Sequence, residues 1–276
     1  QSYKGKDQLE DIIKRARVTV VMFDENQILT TEQFREAEEL EKYRNKAREE
    51  DNYIILHEQL RMQANSAIVD WIDAFTKERI LKKIPKVDGY DIKIFNSPEE
   101  LDLKIKEKAK KKKSSLSRVI ATYDWEYSSI HEPKDRWLKY WEVMVGKWHK
   151  PWNRELEKNF SKEEKKQIKG LAWAEQPQTI DEVGSTYTIQ GFDLNYAGVI
   201  LGPSVKYRNG EIIFDPTESH NHKATRNRTL GDGSKQKFDE LLIQHEVRVL
   251  MTRGVNGVYI YACDEQLREA LNKAEG

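Results

Sequence analysis

Short apolar runs alternate along the chain with longer segments whose apolar residues recur at helical spacing. A continuous β-branched or apolar run is typical of a strand that is buried on both faces of a parallel sheet. Such runs, together with shorter and alternating ones, predict strands over residues 18–23, 53–56, 90–95, 118–123, 184–188, 197–201 and 257–262. Helical spacing predicts helices over residues 7–17, 30–50, 63–82 and 238–251, and another at the C-terminal end.

The sequence Ser97-Pro98-Glu99-Glu100 predicts a further helix start, because Ser serves as a cap, Pro suits the first turn and Glu follows three residues later. Alternation of strands and helices implies an α/β fold with a parallel sheet flanked by helices. We place a domain boundary near residues 85–89, which divides the chain into 1–87 and 88–276. The pattern breaks at about 124–180 and 204–236, where we expect inserted elements.

The composition indicates a soluble protein with a charged surface, since 38% of the 276 residues are hydrophobic and 34% are charged. Lys and Arg equal Asp and Glu at 47 each, so a surface that binds a polyanion must be local. A single cysteine, Cys263, excludes a disulfide framework and a cysteine-rich zinc site. No apolar run approaches the length of about 18–20 residues that crosses a bilayer, so the cytoplasm is the expected compartment.

Asp24-Glu25-Asn26-Gln27 follows the first predicted strand, at the carboxyl end where open α/β sheets place ligand chemistry. As a Walker B motif, Asp24 would hold Mg²⁺ through water and Glu25 would activate the attacking water. As an Asp-x-x-Gln motif, Gln27 would instead sense the γ-phosphate of ATP. An ordinary polar strand end is the third interpretation.

Two arginines occupy positions suited to a phosphate, because a guanidinium donates two parallel hydrogen bonds and keeps its charge. Arg61, in Gln59-Leu60-Arg61-Met62, follows a short predicted strand, although a surface arginine fits this position equally well. Arg253 lies between a predicted amphipathic helix and an apolar strand, where an arginine finger would stabilise a transferring phosphoryl group. The helix macrodipole is an alternative reason for Arg at this position.

The segment 186–193 lies between two predicted strands and combines neutral hydrogen-bonding side chains with a glycine. Thr188 and Gln190 suit a phosphate or a nucleic-acid backbone, and Gly191 allows close approach of the main chain. A simple turn explains the segment as well when it is taken alone.

Aromatic residues are interleaved with Lys and Arg over residues 123–154. Single-stranded nucleic acid needs aromatic faces for stacking and cations for its backbone, so Trp125 and Arg136, with Thr188, are candidate nucleic-acid contacts. A small subdomain with a tryptophan core is the alternative interpretation.

A loop with two acids and two histidines could hold a metal ion, although an ordinary surface loop explains it too. A metal-dependent nuclease has this loop alone in its support, and we name no metal ligand. Its residues are Asp215, Glu218, His220 and His222.

The order and spacing of four segments together resemble the second half of superfamily 1 helicases. The segments are Val-Val-Met-Phe-Asp-Glu-Asn-Gln (20–27), Glu-Gln-Leu-Arg-Met-Gln-Ala-Asn-Ser (58–66), Tyr-Thr-Ile-Gln-Gly-Phe-Asp-Leu-Asn-Tyr-Ala-Gly-Val-Ile-Leu-Gly-Pro (187–203) and Arg-Val-Leu-Met-Thr-Arg-Gly (248–254). They are similar, over nearly the whole chain, to a bacterial helicase-like family of unknown function whose ATPase domain is shared with the large schlafens.

This resemblance implies a RecA-like P-loop NTPase fold, with the end of a first RecA-like domain in 1–87 and a second in 88–276. Members of the family have their hydrolytic carboxylates further upstream. The resemblance therefore implies that Asp24 and Gln27 belong to the γ-phosphate sensor.

The resemblance also implies that Arg61 and Arg253 contact the γ-phosphate. The residues it implies for coupling nucleotide to nucleic acid are Gln190, Gly191 and Asp193. This chain departs from the family at Asp193, where Glu is usual, and at Val247, where Tyr is usual.

The sequence contains no GxxxxGK[ST] phosphate-binding loop, and we find no second acidic strand end for Mg²⁺, so this chain alone is not expected to hydrolyse ATP. The resemblance implies that the intact protein is a helicase or translocase that uses ATP and Mg²⁺ and acts on single-stranded DNA or RNA. Other subunits of a nucleic-acid-processing or defence system are further expected partners, whereas a membrane is not. The alternative is a non-hydrolysing nucleic-acid-binding or regulatory module on the same scaffold.

Overall fold

A computed structural model describes residues 8–24, 37–55, 66–135, 137–221, 228–229, 235–236 and 239–276. Its α-helices are α1 (Gln8–Arg15), α2 (Ala37–Glu49), α3 (Ser66–Asp73), α4 (Pro98–Ala109), α5 (Lys162–Gln167), α6 (Thr186–Ile189), α7 (Asp239–Met251) and α8 (Glu265–Glu275). Its strands are β1 (Asp91–Ile94), β2 (Arg118–Ala121), β3 (Glu142–Val145), β4 (Trp148–Pro151), β5 (Val183–Gly184), β6 (Leu194–Leu201), β7 (Val205–Arg208), β8 (Glu211–Phe214), β9 (Arg228–Thr229), β10 (Lys235–Gln236) and β11 (Gly254–Ala262). Within these residues, no helix is long and apolar enough to cross a membrane.

Five strands form a parallel sheet in the order β1-β11-β6-β2-β5. Gly198 of β6 pairs with Val119 of β2 on one side and with Tyr259 of β11 on the other. Helices cover both faces of the sheet, so the fold is α/β as predicted. The arrangement is consistent with a RecA-like domain.

Successive residues of the central strands point into two cores on opposite faces of the sheet, as the period of two in a strand requires. Val199 belongs to the core that contains residues of α3, α7 and α8. Ile200 belongs to the core that contains residues of α4 and of the β3–β4 hairpin. Strands buried on both faces explain why their sequences are continuously apolar.

Helix α3 packs in the same core as the sheet. Ile68 and Ile72 of α3 and Phe75 of the π-helix Ala74–Glu78 that continues it are fully buried with Ile243 and Leu250 of α7. Of the helix predicted over 63–82, the described part begins as an α-helix at Ser66, changes to a π-helix after Asp73 and ends at Glu78, four residues earlier than predicted. Residues 63–65 lie outside the described residues. This core contains residues from both sides of residue 87. The domain boundary near residues 85–89 stays a prediction.

The predicted start of α4 is confirmed. The Ser97 hydroxyl accepts a hydrogen bond from the Glu100 N–H at 3.2 Å, and Pro98 occupies the first turn. Strands predicted over 90–95, 118–123, 197–201 and 257–262 are confirmed with small shifts at their ends. Each of these signals is local, which is why the sequence suffices for them.

Two predicted strands are wrong as far as the structure describes them. Residues 18–23 form no strand, and Val20 and Met22 are 83% and 81% exposed. Residues 53–55 form none either, with Ile54 81% exposed, while residue 56 lies outside the described residues. An apolar run becomes a buried strand where other strands flank it, and none of the described strands pairs with either segment.

Two further predictions need correction near the predicted functional segments. The strand expected over 184–188 ends at Gly184, because the Ser185 hydroxyl accepts the Tyr187 N–H and starts the short helix α6. Helix α7 was expected to be amphipathic, yet its residues 245–251 are all buried. It is a central helix, covered on nearly every side.

The predicted insertion 124–180 contains the β3–β4 hairpin, α5 and several short 3₁₀ turns. Trp141, Trp148, Trp152 and Trp173 are buried, whereas Trp137 is exposed. Of the tryptophans in residues 123–154, Trp141, Trp148 and Trp152 lie in one core with residues of α4 and of the parallel sheet, so they do not form a separate subdomain core. The second predicted insertion contains the β7–β8 hairpin.

A buried ion pair connects the β3–β4 hairpin to α4. Lys150 Nζ lies 2.8 Å from Asp102 Oδ1 and also donates to the Ile180 carbonyl at 2.8 Å. Lys106 Nζ lies 3.8 Å from the other Asp102 oxygen. Burial lowers the pKa of Lys150 from its ordinary value, and Asp102 opposes this effect.

We predict that Asp102→Leu lowers the free energy of unfolding by about 3 kcal/mol, because it leaves the Lys150 charge buried without its carboxylate. Lys150→Met costs less, since Asp102 keeps Lys106 nearby. The double substitution is more stable than Asp102→Leu alone. Urea denaturation measures all three, with Lys104→Met, which breaks an exposed pair, as a control that changes stability by less than about 1 kcal/mol. A double variant no more stable than Asp102→Leu contradicts this account.

Candidate functional site

Two segments that the sequence singles out lie side by side at the amino ends of β6 and β11. The loop 190–193 leads into β6, and Arg253 directly precedes β11. The Leu194 N–H donates to the Arg253 carbonyl at 2.9 Å, and Gly254 pairs with Leu194. The structure thus brings Phe192 and Asp193 into contact with Arg253, and Gln190 and Gly191 belong to the same loop.

A β-bulge shapes the main chain that follows Arg253. The register of β11 against β6 shifts between Gly254 and Gly257. A Cβ atom on Gly254 would lie 2.0 Å from the Gly257 carbonyl oxygen, so a larger residue would displace the main chain. Bulges of this kind direct neighbouring side chains, and here the neighbour is Arg253.

The Arg253 guanidinium is buried, with the side chain 1% exposed. Its Nε donates to the Val249 carbonyl at 3.1 Å and its Nη1 to the Phe192 carbonyl at 3.5 Å. Nη1 also lies 3.9 Å from Asp193 Oδ1. Carbonyl oxygens and one carboxylate therefore surround the charge in this structure.

Within the segment 186–193, the polar side chains have different environments. The Thr188 hydroxyl accepts the Ser185 N–H at 2.8 Å and donates to the Ser185 carbonyl at 2.9 Å, so it caps α6. Gln190 and Gly191 are exposed, and Gly191 has a φ of +78°, in the region that favours glycine. A ligand at the surface would meet Gln190 before Thr188.

Several predicted site residues lie elsewhere or outside the described residues. Asp24 is exposed at the end of the segment 18–24. Trp125 is half-buried, donates from Nε1 to the Met144 carbonyl at 3.0 Å and packs edge-on against Trp152. The predicted residues outside the described part of the chain are Gln27, Arg61 and Arg136.

The loop considered for a metal ion is organised by a lysine. Lys206 Nζ lies 2.6 Å from Asp215 and 3.1 Å from Glu218, and its hydrogen bond lowers the pKa of Asp215. His222 lies outside the described residues. Within the part of the chain that the structure describes, no group of three or more His, Cys, Asp or Glu is placed to hold a metal.

A polar cluster that the sequence did not indicate lies at the carboxyl ends of β2 and β6. These strands are neighbours, but the chain continues from β2 to β5 on one side and from β6 to β11 on the other. Such a switch point is where open α/β sheets bind ligands. Here Asp124 Oδ2 accepts from the Thr122 hydroxyl at 3.0 Å and from the Ser204 N–H at 2.9 Å.

Glu246 of α7 extends into the same region and accepts the Tyr123 N–H at 3.0 Å. Burial, with a smaller contribution from the charge of Asp124, raises the pKa of Glu246 well above its ordinary value. Burial also raises the pKa of Asp124 to about 6. Asp124 directly follows the strand predicted over 118–123, as Asp24 follows the one predicted over 18–23, so its position at a strand end was the available signal. No comparable signal pointed to Glu246.

We predict that Glu246→Gln stabilises the protein increasingly as the pH rises above about 4.5, because native Glu246 holds a proton that the unfolded chain releases. The stabilising contribution of that proton is present at low pH and is lost as the pH rises through the native pKa, by up to about 1.4 kcal/mol per pH unit. Urea denaturation between pH 5 and pH 8 measures the difference from the unsubstituted protein. The prediction is contradicted if the difference in the free energy of unfolding stays constant between pH 5 and pH 8. It is also contradicted if Glu240→Gln, an exposed substitution on the same helix, changes the pH dependence equally.

A family model and one curated protein match nearly the whole chain. A family model described as Schlafen group 3, DNA/RNA helicase domain matches residues 1–264. A Saccharomyces cerevisiae protein, titled uncharacterized protein YPL245W, is 29% identical over 293 residues, which cover 98% of the chain and 60% of that protein. The chain thus spans less than two thirds of this curated relative. No solved structure matches the chain.

Proposed function

Because the chain belongs to the Schlafen group 3 DNA/RNA helicase-domain family, we propose that it is the C-terminal part of an ATP-dependent nucleic-acid helicase or translocase of superfamily 1. The observation that carries the proposal is the contact between the loop 190–193 and Arg253. Because the loop 190–193 and Arg253 are in contact, a ligand that binds to Arg253 changes the surroundings of the loop, and a ligand that binds to the loop changes those of Arg253.

In the proposed mechanism, Arg253 and Arg61 bind the γ-phosphate of ATP, and Asp24 and Gln27 sense its presence. ATP with Mg²⁺ supplies the phosphoryl group, and other residues of the intact protein hold the metal ion. An arginine suits this role because its guanidinium stabilises the charge that develops on a transferring phosphoryl group.

The environment of Arg253 supports a link between phosphate binding and loop movement. Asp193 and the Phe192 carbonyl are weaker competitors for a guanidinium than a multiply charged phosphate. When Arg253 turns to the phosphate, the loop 192–193 loses these contacts and is released. This movement would be the step by which nucleotide binding changes the grip on nucleic acid.

The same loop is joined to the inserted elements through aromatic side chains. Tyr187, in α6 just before the loop, packs edge-on against Tyr123 and donates to Asn221 at 2.9 Å. We propose that single-stranded DNA or RNA binds along this side, with Trp125 and Arg136 among its contacts. Gln190, Gly191 and Asp193 would couple the two ligands.

Burial of Arg253 also fits a second function, a non-hydrolysing nucleic-acid-binding or regulatory module. The two differ in what the intact protein must contain. A helicase requires a phosphate-binding loop followed by an Asp-Glu strand end elsewhere in its sequence, and a non-hydrolysing module does not.

We predict that single-stranded nucleic acid stimulates ATP hydrolysis by the intact protein, and that Arg253→Ala lowers the stimulated turnover by at least about 100-fold. Gln190→Ala, at an exposed position, weakens the stimulation by nucleic acid without lowering the melting temperature. A coupled ATPase assay with and without an oligonucleotide measures both effects.

The control is Gln167→Ala, an exposed glutamine of α5, which leaves turnover unchanged. Melting temperatures separate a loss of chemistry from a loss of folding at the buried Arg253. Turnover that persists in a folded Arg253→Ala variant removes this residue from the mechanism. Nucleic-acid binding without any turnover in the unsubstituted protein favours the non-hydrolysing module.

A further inference from the structure

Helix α3 and its π-helical continuation are attached to α7 at two points. Near the end of α7, Arg248 Nε donates to Asp73 Oδ1 at 2.7 Å. Near the start of α7, Glu240 Oε2 accepts a hydrogen bond from Arg79 Nη2 at 2.8 Å. Between these points, the apolar side chains of both helices share one core. The two ion pairs thus mark the two ends of a single helix–helix interface.

The Asp73–Arg248 pair is the more buried of the two. The side chains of Arg248 and Asp73 are 10% and 27% exposed, against 34% and 52% for Arg79 and Glu240. Burial alone would raise the pKa of Asp73, but the hydrogen bonds from Arg248 and Lys77 lower it below its ordinary value. A partly buried charge-assisted hydrogen bond fixes geometry better than an exposed pair does.

Arg248 lies in the final turn of α7, and Arg253 follows two residues after the last residue of that helix. The Arg248 carbonyl accepts the Thr252 N–H at 3.1 Å and the Thr252 hydroxyl at 2.9 Å. The next carbonyl, of Val249, accepts from Arg253 Nε. A shift of the main chain at Arg248 therefore displaces the neighbouring Val249 carbonyl oxygen that holds Arg253 Nε.

Asp73 belongs to the helix that follows Arg61 in the sequence. Arg61 lies shortly before Ser66, the first residue of α3. The structure changes from α to π geometry immediately after Asp73. π-Helical turns often occur at functional sites, and this one lies against α7.

We propose that Asp73 and Arg248 are a positioning pair that holds the Arg253 end of α7 in a fixed relation to the helix following Arg61. The pair makes α3 and the end of α7 that precedes Arg253 move as one unit. The inference rests on the proposed function in one respect, namely that Arg61 and Arg253 act on the same phosphate. The mechanical coupling itself can be tested without nucleotide.

Hydrogen–deuterium exchange measures the coupling directly. We expect Asp73→Asn, which removes the charge at constant size, to accelerate exchange in α3 and in residues 249–253 together by about tenfold. Glu240→Gln weakens the other end of the same interface and is the matched control, with faster exchange near the start of α7 alone. Asp73→Glu restores a carboxylate and with it most of the protection. Faster exchange confined to α3, or equal effects of Glu240→Gln at residues 249–253, overturns the coupling.

ATP turnover by the intact protein tests what the coupling does. We expect Asp73→Asn and Arg248→Met each to lower kcat by about tenfold with a smaller change in KM, since a misplaced arginine affects the transition state most. The double variant loses no more than the worse single variant, because both substitutions break one interaction. Unchanged kcat in Asp73→Asn, or an equal loss in Glu240→Gln, overturns the positioning role. If the unsubstituted protein has no turnover, the proposed function fails and the positioning role fails with it, while the exchange experiment still decides the coupling.

Discussion

Parallel pairing of β6 with β11 is the interaction on which the rest of this structure depends. β6 is the central strand of the sheet and β11 is its neighbour, and the side chains of both contribute to the cores on the two faces. The same pairing sets Gly254 opposite Leu194, and so places Arg253 against the loop 190–193. The stability of the fold and the geometry of the candidate site therefore have one common origin.

Helix α7 runs from the carboxyl ends of the sheet's strands to their amino ends, so it connects the two polar regions of the structure. Most of it lies in the core, so each of its buried polar side chains needs a partner inside the protein. Glu246 accepts the Tyr123 N–H at the carboxyl ends of the strands, while Arg253 is held at the amino ends. Arg248 is paired with Asp73 of α3. A buried helix with charged residues on several sides has few positions available to it, which suits a helix that must hold an arginine in place.

Much of the fold was predictable from local signals, and much of the site was not. Ser97 identified the start of α4, and the apolar runs in β2, β6 and β11 identified buried strands. The same reasoning failed for residues 18–23, because an apolar run carries no information on whether other strands flank it. The sequence also drew attention to Arg253 and Gln190, but the roles proposed for them came from the resemblance of whole segments to a helicase family.

Asp124 and Glu246 show why the remaining features were beyond reach from the sequence. Neither belongs to a recognised motif, and Glu246 and its hydrogen-bond partner Tyr123 are 123 residues apart. Strand order created their proximity, and burial then raised the pKa of both carboxyl groups. A sequence shows which residues can ionise, whereas the surroundings decide at what pH they do so.

For this chain, the sequence by itself determined the strands and helices with strong local patterns, the α/β class and the segments that resemble a helicase. The tertiary structure alone decided that Arg253 is enclosed by carbonyl oxygens, that Asp73 and Arg248 pair across 175 residues and that α7 is buried on nearly every side. The physical reason is the distance along the chain over which each interaction acts. Capping and apolar periodicity act over a few residues, whereas burial and the pairing of charges depend on which distant segments the sheet brings together.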